Sequence, residues 1–128
     1  MKAQPMIACA SVSAASAWYQ HVLGLESAHG GDEYEMLRSD GELVLQLHEL
    51  DVEEHPHLVR AGQTLGGNGV ALWFEAADYD AVVTRIKRTN ANVVEDDHVN
   101  PLAHHREIWL RDLDGYVVVV SSPFGDVG

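Results

Sequence analysis

The chain has 128 residues, enough for one domain or for two half-size modules sharing a core. It is 46% hydrophobic and 22% charged, which excludes a disordered chain, a collagen and a coiled coil. Asp and Glu number 20 against 8 Lys and Arg, a formal net charge of −12, so phosphate backbones and anionic lipid are repelled; no nucleic acid and no membrane are expected as partners.

The single cysteine, Cys9, makes no intrachain disulfide and no multi-cysteine metal site, and in its apolar surroundings it reads as a buried, inert thiol. No apolar run approaches the ~20 residues that span a bilayer, and the N-terminus has no signal-peptide core. The expected location is cytoplasmic.

Residues 4–10 alternate as a strand. Ser11-Val12-Ser13 supplies a capping signal for a helix over 13–23, with Ala14, Ala17, Trp18 and Val22 at helical spacing and Gly24 as its stop. Residues 25–28, 33–38 and 42–49 are strand-like, and Asp40-Gly41 between the last two predicts a tight hairpin. Residues 51–68 have no period and are rich in charge and Gly, as in a linker loop.

The same order then returns. Residues 70–75 predict a strand and 78–89 a helix, with Asp78 and Asp80 at its start, Arg85, Lys87 and Arg88 at its end, and Asn90 to close it. Its apolar stripe is Tyr79, Val82, Val83 and Ile86. Residues 92–94 predict a short strand, and 95–98 (Glu-Asp-Asp-His) a solvated loop. Residues 106–111 and 116–121 predict strands around the turn at 112–115, with Asp112 paired to Tyr116. Strands joined by tight turns run antiparallel, so a doubly wound parallel sheet is excluded. The expected organisation is a first module at 1–50, a linker at 51–68 and a second module at 69–128, all within one structural domain.

Two stretches carry a resemblance. Trp18-Tyr19-Gln20-His21-Val22-Leu23-Gly24-Leu25 is similar to the helix end of the vicinal oxygen chelate superfamily, the group of glyoxalase, bleomycin resistance and extradiol dioxygenase proteins. Residues 106–116 resemble its closing hairpin, with Leu113 in place of the usual Pro. The resemblance implies an α+β fold in which two βαβββ modules form a curled, mostly antiparallel sheet around a cleft. It also implies a homodimer and a divalent metal held by His, Glu or Gln from the first and last strand of each module. Those positions fall at Gln4, Gln46, Ala71 and Val119. Ala and Val have no lone pair to offer, so no metal and no other cofactor is expected, a divalent metal being the alternative.

Strand parity sorts the faces without the family. Leu43, Leu45 and Leu47, Val70, Leu72 and Phe74, and Ile108, Leu110, Val118 and Val120 form the helix-facing set. The opposite face carries Gln46, His48, Trp73, Glu107, Trp109 and Arg111 as candidate ligand-binding residues, with Ala71 and Val119 between them. Aromatic walls with a few polar groups suit a small organic ligand. The plainer alternatives are Trp73 and Trp109 as packing, Glu107 and Arg111 as a structural ion pair, and His48 as a solvated side chain. His48, Glu107 and His105 are candidate bases. His104 and His105 are neighbours on a strand, point opposite ways and do not chelate together. His55-Pro56-His57 reads as surface decoration or a lid-type metal ligand.

The functional expectation is a glyoxalase/bleomycin-resistance-like protein that binds a small organic molecule without the usual metal site. The alternatives are a metal-dependent lyase or dioxygenase with non-standard ligands, and a dimerisation or regulatory module.

Overall fold

A computed structural model describes residues 1–51 and 53–128. The chain forms two compact units, Met1–Leu65 and Gly66–Gly128. Each is a βαβββ module with its own four-stranded sheet.

The first unit runs β1 (Met6–Cys9), α1 (Val12–Leu23), β2 (Glu26–Ser27), β3 (Tyr34–Ser39) and β4 (Glu42–Glu49), with sheet order β1-β4-β3-β2. β1 lies parallel to β4, and the other pairings are antiparallel. Ser11 caps α1: its extended backbone lets Oγ accept the Ala14 N–H at 3.2 Å. Gly24 closes it in the left-handed region, φ 73°, its N–H donating to the Gln20 carbonyl. Asp40 and Gly41 both have positive φ, 49° and 79°, the conformation a two-residue hairpin needs to match strand twist.

The buried face of α1 differs from the expected stripe. Val12, Ala15, Ser16, Tyr19, Val22 and Leu23 are buried, whereas Ala14 and Ala17 are exposed and Trp18 is half-buried. Alanine is too small to decide a helix face; the bulk of Tyr19 and the hydrogen bond from Ser16 to Glu35 set the rotation. That face packs on β3 and β4, where Leu37, Leu45 and Leu47 are fully buried.

The second unit runs β5 (Ala71–Glu75), α2 (Tyr79–Lys87), β6 (Asn92–Asn100), β7 (His105–Arg111) and β8 (Val117–Ser121), with sheet order β5-β8-β7-β6. β5 lies parallel to β8, and the rest is antiparallel. Asp78 caps α2 through the Ala81 N–H. The helix ends on Arg88 rather than Asn90, with Thr89 donating back to the Ile86 carbonyl. Tyr79, Val83 and Ile86 are buried, as are Leu72, Ile108, Leu110, Val118 and Val120; Val70, expected on the same face, precedes β5 and is exposed, and Val82 is half-buried.

Residues 95–98 are part of β6, not a loop. Charge is tolerated there because β6 is an edge strand, and two register shifts in its pairing with β7 re-aim the side chains. Asp97 accepts the Tyr79 hydroxyl at 2.7 Å, which joins the edge to α2. The 112–115 turn closes through the Asp112 carboxylate, which accepts the Asp114 and Tyr116 N–H groups. Arg111 then pairs with Val117 and Trp109 with Val119, as parity predicts.

Gly66 presses on that turn. Its φ is +97°, and a Cβ there would lie 3.0 Å from the Asp114 carbonyl oxygen. Gly66→Ala is expected to cost about 2 kcal/mol or more in urea unfolding, from left-handed strain plus a clash with backbone. Gly62→Ala, also at positive φ but in open space, carries only the strain, about 1 kcal/mol. Equal losses at the two sites would show that the contact with the turn is unimportant.

Among the described residues no helix is long and apolar enough to cross a membrane.

Candidate functional site

In the second unit, one sheet face gathers side chains around Glu107. The carboxylate is buried and accepts from Trp109 Nε1 at 2.9 Å, His105 Nε2 at 2.8 Å and Asn100 Nδ2 at 3.3 Å, with His98 Nε2 at 3.5 Å. β7 supplies residues 105, 107 and 109 at the alternate spacing of one face, and β6 brings His98 opposite Glu107 and Asn100 opposite His105. Burial pushes the Glu107 carboxyl up, but the donors around it pull harder and hold it below the usual carboxylate range. An ionised carboxylate whose lone pairs are engaged is a weak base, so Glu107 serves as a positioning group. His98 moves the other way: the Asp96 carbonyl on Nδ1 raises its proton affinity against partial burial, and Glu107 adds to this.

Above that carboxylate stand two indoles. Trp73 and Trp109 meet at right angles, with centroids 6.1 Å apart and planes at 85°. Trp73 Nε1 donates to Ser121 Oγ at 2.9 Å, so each indole N–H already has an acceptor. Trp73 remains 46% exposed, and Val119, the register partner of both residues on β8, is fully buried. Ala71 is exposed at the start of β5. Arg111 is exposed near the turn, and its guanidinium donates to the Gly115 carbonyl at 2.8 Å rather than reaching towards Glu107. His104 lies outside β7 with a positive φ of 52°, away from the buried His105.

In the first unit, the face opposite α1 carries Tyr34, Gln46 and His48. Gln46 Nε2 donates to the Gln4 carbonyl at 2.9 Å, and its amide oxygen accepts the Tyr34 hydroxyl. The Gln46 oxygen is thus engaged, while Ala71 and Val119 offer no donor atom; these residues do not fit the metal that the family's pattern implies. His48 is half-buried, and Nδ1 lies 2.7 Å from the Glu49 carbonyl. His55 Nε2 comes within 3.2 Å of His48 Nε2, and both approach Glu54 Oε1. His57 is exposed.

Sequence reasoning missed Tyr34, His98, Asn100 and Ser121. Parity on β8 puts Ser121 on the Val119 face, so that residue was within reach of the argument. Tyr34, His98 and Asn100 depend on bulges.

A family model for the Glyoxalase/Bleomycin resistance protein/Dioxygenase superfamily matches residues 3–120. No curated protein matches the sequence. Among solved structures, a protein of unknown function from Agrobacterium tumefaciens str. C58 superposes with a TM-score of 0.78 at 18% identity, covering 97% of this chain and 95% of that one. A glyoxalase/bleomycin resistance protein/dioxygenase family enzyme from Burkholderia phytofirmans PsJN gives 0.72 at 18%, with 91% and 94% covered. Lactoylglutathione lyase from Agrobacterium tumefaciens gives 0.68 at 23%, with 94% and 92% covered. With the family pattern spanning nearly its whole length and the paired βαβββ modules in place, the chain belongs to the glyoxalase/bleomycin resistance protein/dioxygenase superfamily.

Proposed function

We propose that the protein binds a small, flat organic molecule, aromatic and preferably cationic, on the Trp73 and Trp109 face, without a metal at Gln4, Gln46, Ala71 and Val119. The observation that carries this is the state of the two indoles. Their N–H groups are held by Ser121 and Glu107, so what they present is ring face, fixed in advance at a right angle. A pre-set aromatic corner binds by stacking and cation–π attraction at low ordering cost. The net charge of −12 concentrates cations near the surface. Binding is favoured over proton abstraction because Glu107 is held ionised and is surrounded by donors.

Tryptophan fluorescence of the full chain tests it, with N-methylquinolinium as the cation and quinoline-2-carboxylate as the anion of similar shape. Trp18→Phe serves as background, since Trp18 is the third emitter. The expected result is saturable quenching by the cation and a roughly tenfold loss of affinity in Trp73→Ala, the size of one good aromatic contact. Binding that ignores Trp73→Ala, or that prefers the anion, would overturn the proposal.

A further inference from the structure

The end of β4 and the turn after it bring together side chains outside the family's pattern. β4 ends at Glu49, and Leu50 continues its pairing by donating to the Cys9 carbonyl. The chain then turns on Asp51. Its carboxylate accepts the Glu53 and Glu54 N–H groups at 2.9 and 3.1 Å, and its carbonyl accepts the His55 N–H at 2.8 Å. This single turn swings Glu54 and His55 back over His48.

The atoms that meet are all lone-pair donors. His48 Nε2 and His55 Nε2 are 3.2 Å apart, and Glu54 Oε1 is 3.8 Å from the first and 3.6 Å from the second. A tetrahedral ion with bonds of about 2.0–2.1 Å sets its ligand atoms roughly 3.4 Å apart, so these three already form one face of such a tetrahedron. The orientation of His48 is fixed from behind. Its Nδ1–H donates to the Glu49 carbonyl, which leaves the Nε2 lone pair facing the other two groups. A backbone carbonyl on the far nitrogen is the usual outer support of a metal-bound histidine. The rings of Tyr34 and His55 pack edge-on against the same imidazole, at 6.3 and 4.4 Å between centroids.

We propose that His48, Glu54 and His55 form a binding site for a divalent transition-metal ion of the zinc class, built on one module alone. None of the three is among Gln4, Gln46, Ala71 and Val119. Two imidazoles and one carboxylate suit Zn²⁺, whereas Mg²⁺ and Ca²⁺ demand oxygen ligands. Three protein ligands leave the fourth position for water or an oxygen of a bound molecule. The ion has a way in, because the Glu54 side chain is 61% exposed and that of His55 33%. The site does not depend on the aromatic face of the second module.

The test is calorimetric titration of the untagged, chelator-stripped full chain with Zn²⁺, with Mg²⁺ as the reference ion. One Zn²⁺ per chain is expected, with Mg²⁺ silent. His48→Ala and His55→Ala should each weaken binding about tenfold or more, and Glu54→Gln should weaken it measurably. His57→Ala, in the same loop but outside the group, should leave the titration within about twofold. His55 lies in an exposed turn, so His55→Ala reports on the site even where His48→Ala fails to fold, as circular dichroism would reveal. Absence of Zn²⁺ binding by the parent chain, unchanged affinity in His55→Ala, or equal loss in His57→Ala would each overturn the proposal; the first would leave a neutral His48–His55 hydrogen bond as the explanation of the contact.

Discussion

Glu107→Ala is expected to lower unfolding stability by about 3–5 kcal/mol, among the largest losses any single change in this protein should produce. The reason is what the carboxylate leaves behind. Trp109 Nε1–H, His105 Nε2–H and the Asn100 amide all donate to it, and His105 is itself buried. Each donor stranded away from water costs about 1–3 kcal/mol, against about 1 for losing an exposed hydrogen bond. Glu107→Gln keeps one acceptor oxygen but turns an N–H₂ group towards donors, so it should cost less, about 1–3 kcal/mol. Urea unfolding ranks the two. The same change frees the Trp109 ring, so weaker quinolinium binding should accompany it. A Glu107→Ala protein within about 1 kcal/mol of the parent would mean that the donors find water, and that the cluster is not the rigid support described above.

How much of this was legible in the sequence depends on where chain geometry is regular. The β7–β8 hairpin was readable because Asp112 and Gly115 fix a turn with one register, and everything from Arg111 to Glu107 follows by counting in twos. That count puts Glu107, Trp109 and Arg111 on one face, and alternation along β5 puts Trp73 on the side opposite Leu72. Counting fails at bulges. From Ser39 opposite Glu42, an unbroken ladder would set Tyr34 against Leu47, on the helix side; the shift at Leu37 and Arg38 moves it opposite His48 instead. Two further shifts carry Glu95, His98 and Asn100 to their partners on β7, and a run of acidic residues gave no sign that it was strand. The His48, Glu54 and His55 grouping was out of reach for another reason. It is made by the Asp51 turn inside a stretch without periodicity, where side-chain direction follows from local hydrogen bonds rather than from any repeat.

Glu35 should dominate the acid limb of stability. It is buried on β3, and no basic side chain is among the groups that hold it. Instead its carboxylate accepts the Ser16 hydroxyl at 2.9 Å, the Ser27 hydroxyl at 2.7 Å, and the N–H groups of His29 and Gly30 at 3.1 and 2.8 Å. Burial alone would raise its pKa; the hydrogen bonds outweigh burial and bring it down from 4.5 to about 2. The folded state therefore holds this proton less readily than the unfolded chain does. Its contribution is present in full above the unfolded value and is lost as pH falls from there towards about 2. At about 1.4 kcal/mol per unit, the whole difference is on the order of 3 kcal/mol. In Glu35→Gln the amide oxygen can still accept the two backbone N–H groups, and the serine hydroxyls can rotate to accept from the N–H₂ group. That variant should be somewhat less stable near neutrality. Its unfolding free energy should fall less between about pH 5 and pH 3, so the two curves converge in acid. Parallel curves over that interval would show that the proton is taken up elsewhere and that Glu35 is not the group that fails first.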